Sequence, residues 1–261
     1  MASLSLTDSL VLPSTPRHWL RSYVLIVRWE LLSLRLMLPV MIVVQFCIGA
    51  GMVIGLGFLF EEIPRDQALY LSTGGPVIAL LMVGLAMAPQ IVAHHKAQKT
   101  YDFMLSLPVP RPVLPLAAMT VWMLIAVPGM AVALAAASWW YDLSLSVSLT
   151  LVPAVLLTVL VATSVGFAFA HAIPQPSVTH LITQALSFFI LLYSPINYPA
   201  ERLPGWLQTV HRFLPLEPAA IVIRGSLTEG MVQDVARSFL VLALWTVAAG
   251  AVTIAVLSRR K

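Results

Sequence analysis

The chain has 261 residues, of which 59% are hydrophobic and only 10% charged. Soluble domains carry about 25% charged residues, so a soluble enzyme, a disordered protein and a nucleic-acid binder are all excluded, despite a pI near 9.5. What remains is an all-α polytopic membrane protein, in which the formal charge of +4 becomes a question of which side of the bilayer carries it.

In chain order, the first readable element is residues 16–35. Arg17, Arg21, Arg28 and Arg35 share one side of a helical wheel, opposite Trp19, Tyr23, Ile26, Val27, Leu31 and Leu34. Pro16 suits a first helical turn and Thr15 a cap. The pattern predicts a basic amphipathic helix lying in the membrane interface, in contact with membrane lipids. Glu30 falls on the apolar side and is expected to face protein.

A helix crosses a bilayer with about 20 apolar residues. Runs free of Asp, Glu, Lys and Arg place six spans near 37–59, 71–93, 114–138, 149–173, 178–195 and 237–257. The fourth and fifth are separated by Pro174-Gln175-Pro176-Ser177, a turn cluster that helix interiors avoid. Gly51 and Gly55 give the first span a small-residue face, suited to packing within the chain or to a dimer contact. Its Cys47, the sole cysteine, leaves no intrachain disulfide and no cysteine-based metal site. Phe46, Phe188, Phe189 and Tyr193 are weak candidates for a substrate path.

With the N-terminus inside, the inner segments hold ten Lys and Arg and the outer segments five, which favours cytoplasmic N- and C-termini. Two connections exceed what a hairpin needs. The inner one carries a short amphipathic helix near 95–108, stopped by Pro108 and Pro110. The outer one, near 196–226, is broken by Pro199, Pro204, Pro215 and Pro218 and carries Trp206 and Phe213. It predicts a re-entrant helical hairpin, packed on protein where it reaches membrane depth.

The pattern Thr100-x-Asp102-x-x-Leu105-x-x-Pro108-Val109 resembles the coupling-helix segment of ABC type-2 exporter permeases. Where that family has acidic residues and a glycine before the threonine, this chain has His95, Gln98 and Lys99. The outer Tyr198-Pro199-Ala200-Glu201-Arg202-Leu203-Pro204-Gly205-Trp206, followed by Phe213-Leu214-Pro215-Leu216, is similar to the family's extracellular re-entrant segment. Trp29-Glu30-Leu31 before Arg35 is similar to its entry into the first span.

The resemblance implies one permease domain over residues 1–261. It implies a second permease subunit, identical or homologous, and two ABC ATPase subunits. Lys99, Thr100, Tyr101, Asp102, Phe103, Leu105 and Pro108 would then couple to an ATPase. Arg28, Glu30 and Arg35 would form the entry helix. Pro199, Leu203, Pro204, Trp206, Phe213 and Pro215 would form an extracellular gate.

No Gly-x-x-x-x-Gly-Lys-Ser/Thr loop occurs, so no cofactor is expected in this chain; ATP and Mg would sit on the partner. No catalytic or metal-ligating set is read. His94-His95 lacks partners at ligand spacing and reads as a solvated pair. The expected function is an ATP-driven exporter subunit in the plasma (inner) membrane. It would move a drug, antibiotic, lipid or lipid-linked glycan outward. The alternative is an ATP-independent secondary transporter or channel, which charge-free spans disfavour.

Overall fold

The computed structural model describes residues 15–58, 64–107, 109–110, 112–142, 145–228 and 230–259. Among them the regular structure is entirely helical, and six helices are long and apolar enough to cross a membrane.

Helix α1 (Pro16–Leu34) starts where the sequence places its caps: Pro16 occupies the first turn, and the Thr15 side chain accepts from the His18 N–H. A turn at 35–37 leads into α2 (Leu38–Gly57), the first span. The second span is compound. It runs through α3 (Arg65–Met82), a π-helical segment (Val83–Met87) and α4 (Ala88–Ala97). Pro89 explains the widened turn. It has no N–H and its ring crowds the carbonyl four residues back, so the helix bulges rather than breaks. The Ala88 N–H accordingly reaches back to the Val83 carbonyl. The bulge also brings backbone against backbone. A Cβ on Gly84 would strike Ala162 and the Thr163 N–H, and one on Gly166 would strike the Gly84 carbonyl.

Helix α5 (Thr100–Ser106) follows the second span, then α6 (Val113–Tyr141), α7 (Leu151–Ala172) and α8 (Pro176–Tyr193). The 173–175 link holds the expected proline turn, with Pro176 in the first turn of α8. A 3-10 turn (Ala200–Arg202), α9 (Gly205–Phe213) and α10 (Leu216–Leu227) precede the last span, α11 (Val235–Arg259). The spans alternate in direction. One end of the bundle therefore carries α1, α5 and the 173–175 turn, and the other carries α9 and α10.

The second span is the hub. It packs against α2, α6, α7, α8 and α10, and every residue from Leu71 to Ala86 is buried. A helix apolar on all sides belongs in the interior of a bundle. The outer spans α2, α8 and α11 bury few of their residues. Such outward apolar faces suit a lipid solvent.

The second span is longer than the 71–93 expected, because His94, His95 and Lys96 form its last turn. Basic side chains are favoured at a helix C-terminus, where carbonyls point outward. The apolar side of α1 covers protein. Ile26 packs with Val113 and Ala117 at the start of α6, flanked by Trp19, Tyr23 and Leu107, and the Tyr23 hydroxyl meets Thr120 Oγ1 at 2.5 Å.

Candidate functional site

At the α5 end, the chain leaves the second span by a turn at Gln98 and Lys99. The Gln98 and Lys99 N–H groups donate to the carbonyls of His94 and Lys96 at 3.0 and 3.2 Å. Lys99 then adopts φ 60°, in the left-handed region. This conformation is natural to glycine and costs other residues energy. It is the position before Thr100. Helix α5 follows with Met104 buried and Phe103 exposed, and Ser106 Oγ donates to the Phe103 carbonyl at 2.7 Å. Thr100 is half-buried. Pro108 lies outside the described residues, as do the side chains of Tyr101, Asp102 and Leu105.

Lys96 ties this end together. Its Nζ donates to the carbonyls of Ala170 at 2.5 Å and Ile173 at 2.9 Å, the open carbonyls at the end of α7. The second span and the 173–175 turn are thus joined beside α5. The sequence signalled only a positive charge here, because which carbonyls a lysine reaches depends on the fold.

The entry helix places Arg28 and Arg35 at the surface and buries Glu30. Burial pushes the Glu30 carboxyl up to about 7. The exposed side of α1 is mixed, with Leu20, Val24 and Leu25 open beside Arg17 and Arg21.

At the opposite end, prolines set the path. Pro199 and Pro204 precede the 3-10 turn and α9, and buried Pro215 precedes α10. Gln208 Nε2 donates to the Leu203 carbonyl at 2.9 Å, which fixes the start of α9. Leu207 and His211 face inward, and His211 stacks on Phe189 with ring centroids 5.6 Å apart. Trp206 and Phe213 face outward, both about two-thirds exposed or more. The α11 residue Trp245 donates from Nε1 to the Phe213 carbonyl at 2.6 Å.

Helix α10 is anchored by Arg224, which is 2% exposed. Its Nε donates to Thr73 Oγ1 at 2.9 Å and its Nη2 to the Ile196 carbonyl at 2.5 Å. Its guanidinium lies 4.0 Å from the centre of the Tyr70 ring, a cation–π distance. One side chain therefore joins α10, the first half of the second span and the start of the connection that leaves α8. In the sequence Arg224 was only one of the outer charges. Its signal was its setting, a lone cation in the apolar stretch 218–227.

The weaker candidates separate. Phe46, Phe188 and Tyr193 face outward, while Phe189 is half-buried between Tyr193 and His211. A Cβ on Gly51 or Gly55 would meet nothing within 4 Å, whereas one on Gly49 would lie 2.6 Å from the Ala133 Cβ. Close packing of α2 within the chain thus uses Gly49, and Gly51 and Gly55 point away from it.

A family model described as "ABC-2 type transporter" matches residues 22–228, from the second turn of α1 to the residue after α10. No curated protein matches the chain.

Proposed function

Because the chain belongs to the ABC-2 type transporter family, and is thus a multi-pass ABC-type permease, we propose that it drives export using ATP hydrolysed by separate subunits. Two ATPases would dock beneath α5, and a second permease, identical or homologous, would complete the transporter. ATP and Mg belong to the ATPases. The greater number of Lys and Arg at the α5 end supports placing that end, with both termini, in the cytoplasm of a plasma (inner) membrane.

The observation that carries this reading is the arrangement of the second span. It is a buried rod with α5 at one end and the Arg224 anchor to α10 at the other. Lys96 joins the α5 end to α7. A push on α5 when the ATPases close would travel along this rod to α9 and α10, the proposed re-entrant gate. Interiors this densely packed move as units rather than deforming. The mixed basic and apolar outer side of α1 suits the headgroup region.

The outward-facing aromatic residues Phe46, Phe188 and Tyr193, with Gly51 and Gly55, would be available to a second copy packed on their faces. A pathway between two such surfaces would carry few charges, which suits a hydrophobic or amphipathic cargo such as a drug, a lipid or a lipid-linked glycan. The test is purification of the full chain from its native membrane. Co-purification of an ATPase, with transport lost on ATP depletion and indifferent to ionophores, is expected. Transport by the chain without an ATPase would overturn the reading in favour of a secondary transporter or channel.

A further inference from the structure

A cleft of about 230 Å³ opens between α9, α10 and the start of α11. Arg212, Glu217, Asp234 and Arg237 line its mouth, and Pro218, Ile221 and Val241 supply apolar walls. Two cations and two carboxylates thus share one opening. Burial pushes the Glu217 carboxyl up, as does nearby Glu201, and both arginines are close enough to counter that electrostatically. Yet Glu217 Oε2 is shut off from solvent and has no hydrogen-bond partner. A partly dehydrated carboxyl that its neighbouring cations do not bond is costly, and a positive group entering the cleft beside it would offset that cost electrostatically.

The lower edge of the cleft identifies the rest of the ligand. Arg237 begins a single helical stripe on α11, continued by Leu240, Leu244 and Val247. These three side chains are 62%, 61% and 71% exposed. From 237 to 247 the helix rises about 15 Å, which is one leaflet of a hydrocarbon core about 30 Å thick. A charged cleft therefore leads directly onto an open apolar track of one-leaflet depth.

The geometry points to a seat for a zwitterionic phospholipid in the leaflet at the α10 end, its headgroup in the cleft and an acyl chain along Leu240, Leu244 and Val247. Arg212 and Arg237 would take the phosphate, which guanidinium groups bind well. Glu217 and Asp234 would take the ammonium. An anionic headgroup would confront two carboxylates and a neutral one would leave both charge pairs unanswered, so the lining selects for both signs at once. The seat needs neither an ATPase nor a direction of transport, so it stands or falls separately from the export reading.

The test uses the full chain in a neutral detergent, with lipid retention read by native mass spectrometry. The probes are phosphatidylethanolamine, phosphatidylglycerol, diacylglycerol and water-soluble glycerophosphoethanolamine. Phosphatidylethanolamine should be held roughly tenfold more tightly than the other two lipids. Arg237→Gln and Glu217→Gln should each remove most of that preference, and Arg237→Lys should restore part of it. Leu244→Asn should weaken the lipid but not the soluble headgroup. Equal retention of the three lipids by the parent chain overturns the proposal, whatever the variants do. So does binding of glycerophosphoethanolamine as tight as the lipid, which would make the cleft a site for a free phosphate ester.

Discussion

At the residue scale, Lys99 occupies a backbone conformation that its side chain makes costly. Left-handed backbone costs a non-glycine residue about 1–2 kcal/mol, while glycine's extra freedom in the unfolded chain gives back about 0.5–1 kcal/mol. Lys99→Gly should therefore stabilise the protein by up to about 1.5 kcal/mol, seen as a higher thermal midpoint in detergent. A fall in the midpoint would show that the lysine side chain does more than tolerate the turn. Glu30 gives a pH-dependent prediction. Its carboxyl titrates near 7 in the fold against 4.5 when free, so the folded protein binds more protons over that interval. The Glu30 contribution to stability is then greatest below about pH 4.5 and declines as pH rises through 7, by about 3 kcal/mol in all. Glu30→Gln should flatten this decline and be more stable than the parent at pH 8. Identical midpoint-against-pH curves for the two would contradict the burial. Glu30 was legible from sequence, because a lone carboxylate on the apolar side of α1 has to face protein. Lys99 was visible only as a departure from the pattern the segment resembles, and its backbone angle is one that glycine adopts without strain.

At the element scale, the spans could be read from charge-free runs because lipid excludes charge, and the 173–175 turn because proline ends helices. Two features could not. The π-helical turn depends on how Pro89 and Gly84 are accommodated against α7, and Pro89 alone is compatible with a kink or a break. The docking of α10 depends on Arg224 finding Thr73 and Ile196, each far away in sequence. A short helix after the second span was legible in place, though it covers only Thr100–Ser106 of the expected 95–108, and a pattern of residue types does not say that Phe103 is its exposed face and Met104 its buried one. Arg224 sets the prediction at this level. Arg224→Met keeps the apolar stem of the side chain and removes both donors, costing about 3 kcal/mol. Amide hydrogen exchange across residues 196–227 should then accelerate roughly a hundredfold, with little change in α6. Unaltered protection there would mean that α10 is held by apolar packing alone.

At the scale of the whole molecule, the protein divides into a buried rod and the two ends of the bundle that it joins. The six helices and the family membership establish a multi-pass ABC-type permease, and the proposal assigns an ATPase to the α5 end and a gate to the α10 end. The same division explains where the few charges lie. They gather in α1, at residues 61–66, around α5 and across α9–α11, and the spans between are almost free of them. The most direct test is site-specific cross-linking in native membranes, in a Cys47→Ser background that removes the natural thiol. Phe103→Cys, on the exposed face of α5, should cross-link to an ATPase subunit in an ATP-dependent manner, and Trp206→Cys, at the start of α9, should not. An ATPase captured at position 206 and not at position 103, or at neither, would contradict the account.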